Sequence, residues 1–196
     1  MIEIRKTGDL FDCGAHAIVN TVNCVGVMGK GIALEFKKRY PAMFAEYAKL
    51  CRRNYIRTGE MWVWHEIPLC RCGHAQEAHS GHTVQIEPGD KYLIFPKPVP
   101  DFCSQCIGGC QHWTPVNEYI INFPTKQDWR NASRLEWIAD GLDDLRRRAK
   151  MDYNIKSIAM PALGCSNGGL NFVDVEALVR DKLQELDINV ILFEPR

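Results

Sequence analysis

Two glycine-rich segments constrain this chain more than any other feature. The first, Asn23-Cys24-Val25-Gly26-Val27-Met28-Gly29-Lys30-Gly31, follows the apolar, β-branched run Ala17 to Val22. The second, Gly164-Cys165-Ser166-Asn167-Gly168-Gly169, follows the short apolar run Ser157 to Met160 and Pro161. Each precedes a stretch that reads as a helix: Ile32, Phe36 and Tyr40 recur at helical spacing after the first, and Val173 to Leu186 follows the second. A buried strand that ends in glycines and turns into a helix is the repeating unit of layered α/β proteins. It brings backbone N–H groups and a helix N-terminus to the strand's carboxyl end, where phosphates bind. Glycine permits positive φ and lets a phosphate approach the backbone closely. Neither loop has the GxxxxGK[ST] pattern of a P-loop, and the first does not give GxGxxG. Two such loops in one small α/β chain favour a diphosphate ligand held between them.

The rest of the chain continues the alternation. Ile2 and Ile4 begin a short strand, and Thr7-Gly8-Asp9 forms a turn. Pro41 starts a second helix carrying Met43, Phe44, Tyr47 and Leu50, since proline suits the first helical position. Met61 to Trp64 and Tyr119 to Phe123 read as strands, and Asn189 to Phe193 as a last one. Leu135, Ile138, Leu142 and Leu145 form one face of an amphipathic helix over about Ser133 to Ala149. With 196 residues and 46% apolar content, the chain suits one domain with a buried core. The 24 basic and 24 acidic side chains balance, which argues against a general electrostatic grip on nucleic acid. No apolar run approaches the ~20 residues of a membrane span. The N-terminus lacks a signal-peptide pattern, so a cytoplasmic location with reduced thiols is expected, and no membrane partner.

Residues 68–116 differ in character and read as an insertion within the single domain 1–196. They hold a cluster of cysteines and histidines. Cys103-Ser104-Gln105-Cys106 is a C-x-x-C half-site for tetrahedral zinc, and Cys70-Arg71-Cys72-Gly73-His74 followed by His79 provides the other half. Cys110 is a further candidate. The preferred ligands are drawn from Cys70, Cys72, His79, Cys103 and Cys106. Four sulfur or nitrogen ligands leave no open position for water, so the expected zinc is structural. An insertion with few core-forming residues needs such a staple.

The motifs also carry a family resemblance. Thr7-Gly8-Asp9-Leu10, Ile18-Val19-Asn20-Thr21-Val22-Asn23 and Gly29-Lys30-Gly31-Ile32-Ala33 resemble the opening of a macrodomain, and Met160 to Cys165 resembles that family's second phosphate loop. Val25 to Gly31 and Asn122-Phe123-Pro124-Thr125-Lys126 are similar to the branch of DNA ADP-ribosyl glycohydrolases of DarG type, with the terminal ADP-ribose protein glycohydrolases as a related branch. The resemblance covers about residues 1–67 and 117–196.

It implies a three-layer α/β/α fold with a mixed central sheet, and an ADP-ribose ligand. Asp9 and Leu10 match the adenine end, Asp9 as acceptor from the adenine amino group. Asn20 and Asn23 match the strand end near the distal ribose, where the amide of Asn23 can donate to and accept from hydroxyls. Val27, Met28, Gly29, Lys30, Gly31 and Ile32 match the first phosphate loop. Thr125 matches the turn beside it, and Gly164, Cys165, Ser166, Asn167 and Gly168 the second loop. In the resembled branch the lysine at the place of Lys126 attacks the anomeric carbon of the distal ribose. An acidic residue of the second loop assists in some relatives; Gly168 stands there in this chain, so the acid/base partner is open. No cofactor is expected for catalysis.

Three functions fit these residues. The first is an antitoxin-like hydrolase, acting as a monomer, that removes ADP-ribose from DNA or protein. The second is a reader that binds ADP-ribose without turnover, the third a zinc-stapled nucleic-acid-binding protein. Lys126 in its Asn-Phe-Pro-Thr-Lys setting favours the first, the glycine at 168 the second, and zero net charge counts against the third.

Overall fold

The computed structural model describes residues 1–65, 119–151 and 155–195. The elements are β1 (Ile2–Arg5), a 3-10 turn (Leu10–Asp12), β2 (Ala17–Asn23), α1 (Gly31–Arg39), α2 (Pro41–Arg52), β3 (Trp62–His65), β4 (Tyr119–Lys126), α3 (Leu135–Met151), β5 (Ser157–Met160), α4 (Phe172–Leu183) and β6 (Asn189–Phe193). The strands make one six-stranded sheet in the order β1-β6-β5-β2-β4-β3. The first five are mutually parallel, and β3 is antiparallel to β4 at the edge. The sheet is therefore mixed.

Alternation along the strands builds a core on each face. Val19, Ile121, Phe123, Ile158 and Leu192 point to the face covered by α3 and α4, where Ile138, Leu142, Val175 and Val179 meet them. Ile18, Ile120, Ala159 and Ile191 point the other way, to Phe36, Met43, Tyr47 and Leu50 of α1 and α2. The result is three layers, helix on sheet on helix. At Gly141 in α3 the helix packs closely on the sheet: a Cβ there would collide with the Phe123 ring and the Met61 methyl.

Three boundaries differ from the sequence pattern. Strand β4 runs on through Pro124 to Lys126, opposite a register shift between Val22 and Asn23 of β2. Proline lacks an N–H to give to a ladder, and a bulged strand end is where that loss is tolerated. Helix α3 starts at Leu135, because the Ser133 N–H donates to the Gly168 carbonyl at 2.9 Å and so belongs to a loop–loop contact. Helix α4 stops at Leu183, and the chain reaches Leu186 through a turn.

The insertion 68–116, the five preferred zinc ligands within it, His74, Cys110 and the strand-like stretch Lys91 to Phe95 lie outside the described residues. Among the described residues no cluster of three metal-ligating side chains occurs, and no helix is long and apolar enough to cross a membrane.

Candidate active site

The parallel strands β6, β5, β2 and β4 all end at one edge of the sheet, and both glycine-rich loops open there. The cleft along that edge has a volume of about 940 Å³, within the range of small-molecule sites. It spans three strand spacings, roughly 14 Å, from β6 to β4.

At the β6 end stand Asp9, Leu10 and Phe193. The Asp9 carboxylate accepts from the Phe11 N–H at 2.9 Å and lies 3.8 Å from the Arg39 guanidinium. It therefore fixes the 3-10 turn and still faces the cleft. In the middle the two loops approach each other. Gly31 has φ +59°, and the Asn167 side-chain nitrogen lies 3.2 Å from where a Cβ on Gly31 would stand. Val27, Gly29, Lys30 and Ile32 line one side, and Gly164, Ser166, Asn167 and Gly168 the other.

Lys126 closes the β4 end. It is the last residue of β4 and only 8% exposed. Its Nζ donates to the Asn167 carbonyl of the second loop, and among the described residues it has no carboxylate partner. Burial lowers its pKa, because desolvation disfavours the ammonium form. Thr125, also buried, donates through Oγ1 to the Val22 carbonyl at 3.5 Å and lines the cleft.

Asn23 does more structural work than a ribose contact requires. Its Oδ1 accepts from the N–H groups of Val25 and Val27, and its Nδ2 donates to the Val27 carbonyl at 2.6 Å. The buried Tyr47 hydroxyl donates to the Asn23 backbone carbonyl at 2.6 Å. Asn23 is thus the cap that shapes the first loop, and it lines the cleft from that position.

Three expected ligand residues do not line the cleft. Asn20 is fully buried and donates to the Asn122 side chain at 2.9 Å, because β2 places it one pleat below the strand end. Met28 packs in the core beneath α1 and α2 at 1% exposure. Cys165 turns against the α3/α4 core, and burial pushes its thiol up to about 11. Gly168 also answers a question of shape. A Cβ there would collide with the Gly164 carbonyl oxygen and the Ser133 hydroxyl. The closed loop leaves no room for an acidic side chain at this place.

The pattern of macro domains, as a family, matches residues 19–72 and 110–179. The chain belongs to the macrodomain family. It is 38% identical, over 96% of its length, to the DNA ADP-ribosyl glycohydrolase of Mycobacterium tuberculosis, of which it covers 41%. The macrodomain of Mycobacterium tuberculosis DarG superposes with TM-score 0.72 and 36% identity, covering all of this chain and 99% of that one. Thermosipho africanus DarTG in complex with ADP-ribose gives TM-score 0.68 at 26% identity, over 96% of this chain and 40% of the other. The chain spans about two fifths of the length of the curated glycohydrolases it matches. The stretch that the family pattern skips, 73–109, falls within residues 68–116.

The cleft of this macrodomain has further walls that the sequence reading did not name: Glu35, Trp129, Arg130, Phe193 and Glu194. The signal for Phe193 and Glu194 was present, since ligands of open α/β sheets sit beyond the carboxyl ends of parallel strands and β6 is one of them. For Trp129 and Arg130 the only cue was an aromatic and a basic residue just past Lys126.

Proposed function

We propose that this macrodomain is an ADP-ribosyl hydrolase that releases ADP-ribose from modified DNA, with Lys126 as nucleophile. The carrying observation is the state of that lysine. It is buried at the sugar end of a cleft built for a diphosphate, without a carboxylate to hold its charge. Desolvation favours the neutral amine, and only that form has a lone pair to give. Its hydrogen bond to the Asn167 carbonyl uses an N–H and leaves the lone pair free to attack. In the proposed reaction the amine bonds to the anomeric carbon as the bond to the DNA base breaks, and the base leaves with its electron pair and takes up a proton. Water then adds at the same carbon, and the lysine departs. Adenine lies at the Asp9 end, the diphosphate between the loops and the distal ribose beside Lys126. Names of relatives at 33–38% identity over most of the chain support DNA as the modified polymer.

The test is direct. The wild-type protein, incubated with an ADP-ribosylated oligodeoxynucleotide, releases free ADP-ribose; Lys126→Ala releases none, while ADP-ribose binding survives largely intact. Near-normal release by Lys126→Ala makes the lysine a bystander. The sealed loop at Gly168 favours a second reading, a reader without turnover, because it removes one source of acid/base help. Wild-type binding with no release from DNA or protein selects that reading. We further propose a monomer that works in the cytoplasm, with one structural zinc held by ligands drawn from Cys70, Cys72, His79, Cys103 and Cys106.

A further inference from the structure

The segment leaving Lys126 is a built turn that presents an aromatic ring and a cation at the cleft mouth. Asp128 forms its hinge: its carboxylate accepts from the Arg130 N–H at 2.9 Å, and its carbonyl accepts from the Asn131 N–H at 3.1 Å. Both flanks are pinned to the loops described above. The Gln127 carbonyl accepts from the Cys24 N–H at 3.0 Å, and the Ser133 N–H donates to the Gly168 carbonyl at 2.9 Å. A turn so held sets the position of its side chains. Trp129 is nevertheless 51% exposed, and the Arg130 guanidinium lies 4.9 Å from its ring centroid. Among the described residues Arg130 has no carboxylate partner. Both side chains line the same cleft as Lys126, three and four residues beyond it in the chain.

With the distal ribose beside Lys126, the group released from it stands at this mouth of the cleft. We propose that Trp129 and Arg130 form the leaving-group subsite, with the DNA base stacked on the indole face that the guanidinium leaves uncovered and the neighbouring phosphodiester held by Arg130. Every base has a π-face, so stacking on tryptophan holds a single-stranded base whatever its identity. A guanidinium beside it matches a phosphate by charge and by its fork of donors. The Asp128 carboxylate is turned into the Asx hydrogen bond. The overall neutrality of the chain fits such a local grip, since one base and one phosphate are met and no long polymer track is needed. This assignment rests on the reading that the chain acts on modified DNA.

The experiment measures release of ADP-ribose from a single-stranded oligodeoxynucleotide bearing one ADP-ribosylated base, alongside the Kd for free ADP-ribose. Loss of one base stack corresponds to about tenfold in affinity. Trp129→Ala therefore raises KM for the oligonucleotide about tenfold more than it raises the ADP-ribose Kd, and Trp129→Phe recovers most of the loss. Arg130→Gln raises KM and makes it less sensitive to salt, as removal of a phosphate contact does. An equal change in both constants for Trp129→Ala, with wild-type turnover intact, overturns the subsite alone. Absence of wild-type release from the oligonucleotide overturns the DNA reading and the subsite with it.

Discussion

Lys126 and Gly168 both bear on the second loop, the lysine through its hydrogen bond to the Asn167 carbonyl and the glycine through its close fit against Gly164 and Ser133. Burial that lowers the lysine's pKa sets the direction of its pH response: the neutral amine gains population as pH rises. The rate of ADP-ribose release should therefore climb with pH, with its inflection below the ordinary lysine value of about 10.4. A profile flat from pH 6 to 10 would speak against a lysine nucleophile. Gly168 marks the limit on adding chemistry to that loop. Gly168→Glu supplies an acidic residue in composition only, because its Cβ meets the Gly164 carbonyl. We expect that variant to lose about 1–3 kcal/mol of stability and to bind ADP-ribose more weakly, as calorimetry would register. A faster enzyme would show that the loop reopens at little cost.

The strand–loop–helix units translate these residues into a site. The first loop holds its shape through Asn23, and Asn23 is held in turn by Tyr47 from the middle of α2. Burial drives the Tyr47 phenol far above its ordinary range, so it remains a donor at any working pH. Tyr47→Phe should cost about 1–2 kcal/mol in denaturant unfolding, since it strands a buried carbonyl, and should loosen ADP-ribose binding from two elements away. Gly141→Ala, on the helix of the opposite layer, should cost about 1–3 kcal/mol through overpacking against Phe123 with little change in ADP-ribose Kd. These two couplings were not legible in the sequence. The strands and helices were, because period-2 and period-3.6 patterns are local. The glycine loops at strand ends likewise announced the cleft that they line. Which side chains at the strand ends face the cleft depends on a pleat phase and a bulge. That is why Asn20 points into the core; Met28 in the first loop and Trp129 and Arg130 in the turn after β4 lie where no periodic pattern sets the direction of a side chain. The fit of Gly168 against Ser133 joins residues 35 positions apart, a distance no local pattern spans.

At the scale of the whole molecule, the spacing of Cys70, Cys72, His79, Cys103 and Cys106 leads us to expect about one zinc per chain by elemental analysis of protein purified without chelator. Chelation should lower thermal stability before it lowers turnover; metal-free protein of unchanged stability would remove the staple from the account. The register of β3 on β4 has one more consequence. His65 pairs with Tyr119, so the two ends of the excursion 66–118 are already neighbours in a hydrogen-bonded ladder. They lie at the amino end of β4, roughly 23 Å along the strand from Lys126. Closing a loop costs entropy only as the logarithm of its length, so about fifty residues there cost roughly 2 kcal/mol more than a tight turn. The edge of the sheet is thus a port, where the chain can lengthen, shorten or exchange a whole module at little thermodynamic cost to the cleft at the other end of β4. A version with 73–109 replaced by a short glycine–serine turn should keep its ADP-ribose Kd within about threefold of the parent, by calorimetry, as a port remote from the ligand requires.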